Sequence, residues 1–425
     1  MTAHRLLRLA GTALAAAWLA ACAEDRLEIT AAAAPPTGPA AGDVAVARAP
    51  DGTGVFLAWV AGDSGSRHVW FSRAGEGGDW SAPVQVTDVA DDVGAPHGES
   101  SPRLVAGGGN RVALVWSRSV PVAGRRWPAS EIRFARSLDG GITWSAPHTL
   151  NDDSTGAPGT HTFHGAAWLG GDSLVAAWLD ERGGASFPGH HHAADDDGAA
   201  SATESDARIF VAVSGDFGAT WSPNRPVWGA VCPCCRVSLA RDPSGTLIAA
   251  WRKHFPGSIR DVVTAPLLPL PGEPERVHRD DWEYPGCPHT GPALAVDSAG
   301  ARHVAWYTGK PGGAGMFYGR VAPGGGATPA ATPLVTGAGL QTGHAAIAAT
   351  GSGALVAFDV DEGGARAIRV ARVDAGGAVA GIETIEGSAG GTYPQLVALA
   401  EGEALVAWRQ GGDAAGIGLA RIRWK

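Results

Sequence analysis

The sequence predicts an all-β protein, a β-propeller of four-stranded antiparallel blades, and three observations carry that expectation. The first is an internal repeat: GVFLAWV, RVALVWS, SLVAAWLD, TLIAAWRK, ARHVAWYT, ALVAFDV and ALVAWRQ are versions of one short apolar strand ending in an aromatic. Their anchors are Trp59, Trp116, Trp178, Trp251, Trp306, Phe358 and Trp408, spaced by 57, 62, 73, 55, 52 and 50 residues. The second is that each version has strand-length neighbours such as EIRFARS and RIFVAVS, rich in Val, Ile and aromatics and cut by Gly and Pro. The third is that 62 glycines supply turns while no amphipathic helix stands out beyond the N-terminus. Four strands per repeat at this period suit radial packing, which leaves only short sheet edges. Seven blades are expected, or six if the first and last repeats share one. The last repeat provides YPQLVALA, ALVAWRQ and IGLARIRW before the sequence ends, so its outer strand is expected from EDRLEIT, Glu24 to Thr30, closing the ring.

Ahead of this domain, expected over residues 43–425, stands an apolar run, LAGTALAAAWLAAC, preceded by Arg5 and Arg8. It is short for a membrane span and ends in small residues, so residues 1–21 read as an export signal. Its ending, LAAC, resembles a bacterial lipobox, in which Cys22 becomes the lipidated N-terminus; an ordinary signal cleaved nearby is the alternative. Residues 22–42, with AAAAPPTGPAAG, read as a flexible tether. The expected location is therefore outside the cytoplasm, anchored by lipid to a bacterial membrane and facing the periplasm or cell surface, as a monomer. Losing the two arginines of the signal takes the net charge from −9 to −11, which argues against a nucleic-acid partner.

Cys22 apart, only four cysteines remain: Cys232, Cys234 and Cys235 in VCPCCR, and Cys287 in GCPHTGP. Four thiols in so long a chain are no disulfide scaffold, so their role is local. Both segments lie just before the first strand of a repeat, where a propeller opens onto its axis. Corresponding segments hold His97 in HGESSPRLV, His161 and His164 in THTFHGAAW, His289 beside Cys287, His344 in QTGHAAIAA and Tyr393 in TYPQLVALA. Thiolates and imidazoles at one mouth suit a soft metal, copper in preference or zinc. The competing expectation is disulfides, Cys232 or Cys234 joining Cys287 across adjacent blades, since export favours oxidation. On a strand, Cys234 and Cys235 would point to opposite faces and pair with each other only under strain. A second cluster, His190, His191 and His192 followed by Asp195, Asp196 and Asp197, is either a weak divalent-metal trap or a solvated insertion. The arginines of AWRK and AWRQ, and LDERGG, read as surface ion-pairing groups.

Two turns are more specific. SLDGGITW, with Ser137, Asp139, Gly141 and Trp144, and SGDFGATW, with Ser214, Asp216, Gly218 and Trp221, both read S-x-D-x-G-x-x-W, and SRAGEGGDW at Ser72 to Trp80 is a degenerate version. An Asp that caps turn amides, a Gly that takes positive φ and a Trp that pins the hairpin explain the pattern. It resembles the Asp-box, or bacterial neuraminidase repeat, of the sialidase-like propellers, and the resemblance spans residues 43–425. The resemblance implies, for a hydrolase, three arginines gripping a carboxylate, an Asp acid/base and a Tyr nucleophile activated by Glu. Arg103, Arg236, Arg260 and Arg409 are candidate clamps, and Tyr393 with Glu283 or Glu99 is the candidate nucleophile pair, yet no F-R-I-P or Y-R-I-P tetrapeptide is present. The reading is a sialidase-like propeller that binds a soft metal through its Cys/His cluster rather than cleaving a glycan. The alternatives are an exo-sialidase-type glycoside hydrolase, and a carbohydrate- or protein-binding propeller stapled by inter-blade disulfides.

Overall fold

The computed structural model describes residues 27–424 except 39, 50, 53, 76–77, 96, 124–127, 154–158, 183–205, 327–329, 338–339, 352 and 412–415. The export signal, Cys22, and the His190, His191, His192, Asp195, Asp196 and Asp197 cluster lie outside the described residues.

Seven four-stranded antiparallel sheets follow one another along the chain, over residues 42–85, 103–149, 161–228, 238–276, 293–336, 341–384 and 392–423. The first strand of each blade packs against the first strand of the next all the way round, so these strands line the axis. The ring closes as expected: among the described residues Glu28–Ala31, which shares residues 28–30 with the expected segment, pairs with Gly416–Arg423, from Glu28 opposite Arg423 to Ala31 opposite Ala420. Six blades are thereby excluded, because the last blade borrows one N-terminal strand and not the first repeat.

Described residues of the segment read as a tether are bonded to the ring. Ala32 donates its N–H to Leu419, Trp59 donates its indole N–H to the Thr37 carbonyl at 3.1 Å, and Trp80 donates to Ala33 at 2.8 Å. Two indoles thus fasten the Ala/Pro segment to blade 1, where composition alone suggested freedom.

All seven anchor aromatics are at most 3% exposed. Each fills the space between neighbouring blades, where truncation to Ala would cost about 3–5 kcal/mol. Several also bond through the indole nitrogen, Trp178 to Asp180 at 2.9 Å and Trp306 to Asp280 at 2.7 Å.

The two S-x-D-x-G-x-x-W turns are bonded alike. Asp139 accepts from the amides of Ile142 and Thr143 and from Ser137, and Asp216 accepts from Thr220 and Ser214. These donors hold both carboxyls down at about 2. Trp144 sits edge-on to Phe71 at 5.2 Å and Trp221 edge-on to Phe134 at 5.1 Å, so each turn locks its blade onto the preceding one.

Candidate metal centre

The VCPCCR segment leaves its blade at Val231, whose backbone bridges Lys253, and Cys232 donates its N–H to the Arg252 carbonyl at 2.9 Å. A turn follows, ending at the first strand of blade 4, Ser238–Arg241. The turn corrects the expectation drawn from strand geometry: Cys234 and Cys235 do not diverge, and all three thiols point into one pocket. The Sγ separations are 3.0 Å for Cys232–Cys235, 3.7 Å for Cys232–Cys234 and 4.0 Å for Cys234–Cys235. All three residues are at most 1% exposed. Cys287 and His289 approach from the lead-in to blade 5, and donor atoms of Cys234, Cys287 and His289 form a second triad within 4.8 Å of one another. Cys232, Cys234, Cys235 and Cys287 are free thiols, so the expected inter-blade disulfide is not formed in this structure.

Two arginines shape the charge here. Arg252, 1% exposed, donates only to carbonyls, of Thr290 at 3.0 Å, Arg260 at 2.5 Å and Tyr307 at 2.7 Å. Its guanidinium also lies over the Trp282 ring at 5.1 Å. Arg260, 6% exposed, donates to the Tyr284 carbonyl at 3.2 Å. Among the described residues neither makes an ion pair with a carboxylate, which corrects the surface role expected for the arginine of AWRK. Burial opposes charge at every sulfur and pushes the Cys234 and Cys235 thiols up. At Cys232 burial is outweighed by the two neighbouring thiols and by Arg260 and Arg252, which pull it well below the usual thiol value. The pocket therefore favours negative charge on one sulfur, that of Cys232, and disfavours it on the other two.

The histidines divide. His97 stacks near His289, ring centroids 5.3 Å apart, and burial holds its imidazole below the usual value, leaving it neutral at the rim. His344 faces Asp359 through Nδ1 at 2.8 Å and the His289 carbonyl through Nε2 at 3.2 Å. Burial would lower its pKa, but Asp359 outweighs burial and raises it; with both nitrogens donating, His344 cannot ligate an ion. It props the His289 backbone instead. His161 and His164 do not reach the thiols, contrary to expectation. His161 donates to the Ser130 carbonyl at 2.7 Å and faces Asp153 and Asp180. His164 donates to the Val115 carbonyl at 3.0 Å, and burial drives its pKa down to about 3. Both therefore bind to blade 2. The residue of that segment that packs with the thiols is Phe163.

Of the residues that a hydrolase would need, Arg103, Arg236, Arg409, Tyr393 and Glu99 are brought into one neighbourhood at the axis, whereas Arg260 lies by the thiols and Glu283 is exposed. Arg236 is held by Glu99, which accepts from its Nη1 and its backbone N–H at 3.0 Å each, and it also donates to the Ala345 carbonyl. Tyr393 packs its ring on His344 at 4.0 Å, and burial pushes its phenol up to about 12, the reverse of an activated nucleophile. Glu283 is an exposed residue whose backbone bridges Ile259; the carboxylates brought near Tyr393 are Asp359, Glu99 and Asp43.

Two buried acids, Asp43 and Asp359, escaped the sequence reading, and a third, Glu99, was named there only as a partner for Tyr393. Glu99, fully buried, also accepts from the Gly291 amide at 2.6 Å, so one carboxylate ties blade 2 to the lead-ins of blades 4 and 5. Asp359 follows the sixth anchor aromatic and accepts the Tyr393 amide at 3.0 Å. Asp43 accepts the His97 amide at 2.6 Å. Asp43, Phe163 and Tyr393 occupy matching bulges, two residues before Ala45, Gly165 and Gln395, with φ of 46°, 53° and 53°. Left-handed backbone repeated at one register turns these side chains toward the axis. An Asp inside a lead-in segment was the available signal.

No protein-family model matches the chain, and no curated protein does. Among solved structures it is similar to the BP39L lectin from Burkholderia pseudomallei, at 13% identity and a TM-score of 0.58, over 90% of this chain and 96% of the lectin. A polysaccharide lyase, an ulvan lyase, matches at 10% identity and a TM-score of 0.56 over 93% of both chains. A Hadza microbial sialidase matches at 17% identity and a TM-score of 0.47, over 75% of this chain and 63% of the sialidase. At these identities the first two likenesses establish the propeller fold, and the third carries no argument.

Proposed function

We propose that this protein is a non-hydrolytic propeller that holds a soft transition metal, monovalent copper, at the Cys232, Cys234 and Cys235 thiolates, outside the cytoplasm and anchored through lipidated Cys22. One observation carries the reading: three buried thiols within 4.0 Å of one another lie beside two buried guanidinium groups that have no carboxylate partner among the described residues. Leaving both cations unpaired in a dry site is costly, and thiolates supply the missing charge. Three thiolates around one monovalent ion leave two negative charges, the number that Arg252 and Arg260 match. A divalent ion would leave one. The donor count agrees, because zinc in structural sites takes four ligands whereas each triad here offers three. The export run and LAAC support an extracytoplasmic setting, where such a site would meet copper from outside the cell. The lectin and lyase likenesses support a glycan ligand through fold alone, and the committed Arg236 and protonated Tyr393 speak against cleavage.

The test is elemental analysis of the full chain purified under reducing, anaerobic conditions and loaded with copper(I) in the presence of a competing chelator. At least one tightly held copper per chain is expected, lost in Cys234→Ala, with no turnover of a fluorogenic sialoside. Stoichiometric zinc in place of copper would overturn the choice of metal. Absence of any metal, or sialoside turnover abolished by Tyr393→Phe, would overturn the reading.

A further inference from the structure

Resting on that reading, the geometry points to two ions and not one, bridged by the Cys234 thiolate, with the second seated on Cys287 and His289. The five donors fall into two triads, Cys232/Cys234/Cys235 and Cys234/Cys287/His289, each closed within 4.8 Å, and Cys234 belongs to both. Metal–thiolate bonds of about 2.3 Å let one ion span at most roughly 4.6 Å between two sulfurs. A single ion can therefore serve one triad or the other but not all five donors, whereas two ions sharing Cys234 use every one. A thiolate sulfur has lone pairs enough to bridge, and Cys234 is held for it, buried at 0% exposure on a turn pinned at Val231 and Cys232.

The second seat is built from the neighbouring blade. His289 has a left-handed φ of 49°, and its carbonyl is fastened by His344, itself oriented by Asp359. His97 packs against its ring. Cys287 and His289 are both half-buried, while the inner three cysteines are sealed. The outer seat is thus the one that exchanges ions with solvent or with a donor molecule, and the inner seat is reached through it by way of Cys234. Binding is a ligand exchange with no redox step: filling the inner triad releases the thiol protons of Cys232, Cys234 and Cys235 to water, and filling the outer one releases that of Cys287, the Cys234 thiolate being shared.

Titration of the folded full chain with copper(I) against a chromophoric chelator, followed by X-ray absorption at the copper edge, separates the possibilities. The wild-type chain is expected to take two equivalents and to show a copper–copper shell. Cys287→Ser, at a half-exposed position, is expected to take one equivalent and to lose that shell. His289→Asn, chosen because Asn tolerates the left-handed backbone, is expected to weaken the second equivalent at least tenfold while sparing the first. One equivalent in the wild type, unchanged in Cys287→Ser, would overturn the second seat and leave the single-ion reading standing. Two equivalents without a copper–copper shell would overturn the bridge. No copper at all would overturn both readings. Unchanged circular dichroism and thermal midpoint of Cys287→Ser and His289→Asn are required for the comparison, and either variant suffices.

Discussion

Asp43 shows how the axis trades stability for placement. Its carboxyl is 3% exposed, and burial lifts its pKa from 3.8 to about 6 despite the His97 amide bond and the nearby Arg409 and Arg103. A carboxyl whose folded pKa is raised is favoured in its neutral form, so the unfolded chain ionises first as pH rises and stability falls between about pH 4 and 6. The full effect is on the order of 3 kcal/mol. Asp43→Asn removes that titration while keeping an acceptor for the His97 amide. Urea unfolding should show the Asn variant gaining on the wild type from pH 4 to 6.5 and then levelling; a difference independent of pH would show that Asp43 titrates normally. Such a residue is spent on something other than stability, which fits its position on the axis between the His97 amide and the Arg103 and Arg409 side chains. The left-handed φ at Asp43, Phe163, His289 and Tyr393 belongs to the same account.

Among the elements, the Asp-type turns carry the clearest causal chain from residue to packing. Gly218 has φ of +81°, and a Cβ there would stand 2.1 Å from the Phe134 ring. Gly218→Ala should therefore cost about 2–4 kcal/mol, from the left-handed backbone and the clash together. Gly215→Ala in the same turn, where a Cβ would meet no atom within 4 Å, should be close to neutral. Urea midpoints of the two variants decide this, and equal losses would remove the turn's role as a lock on blade 2. The VCPCCR turn is the opposite case, an element whose local sequence says little of its shape. Pro233 and the run of cysteines are compatible with a strand or a turn; only the bridge of Val231 to Lys253 and the bond of Cys232 to the Arg252 carbonyl turn three sulfurs the same way.

For the whole molecule, the N-terminal strand is what makes seven blades a closed ring. Leu27 is buried and Ile29 packs on the same cluster, between blades 6 and 7. A chain starting at residue 42 loses both contacts, worth about 3–6 kcal/mol. It also bares the edge of Gly416–Arg423. Lower thermal stability and concentration-dependent association in light scattering are the expected outcome; an unchanged melt with no association would mean that the ring does not need the strand.

Blade number, strand order and the register of the anchor aromatics were legible in the sequence because each repeat buries its own aromatic by local alternation. The donor types of the candidate metal site were legible for the same reason, since the repeat places every lead-in segment at one end of the ring. Which of those donors meet was not legible. His161 and His164 share the register of the thiols, yet backbone carbonyls of blade 2 capture them, and His344 is consumed by Asp359. The bonding of the buried acids Glu99, Asp43 and Asp359, the burial of Arg252 and Arg260 with no carboxylate partner among the described residues, and the sharing of Cys234 between two triads depend on residues as far apart as Glu99 and Gly291. Sequence periodicity determined the architecture because it is short-range. The tertiary structure alone decided the site, because ligand distance and charge pairing are set where five lead-in segments converge.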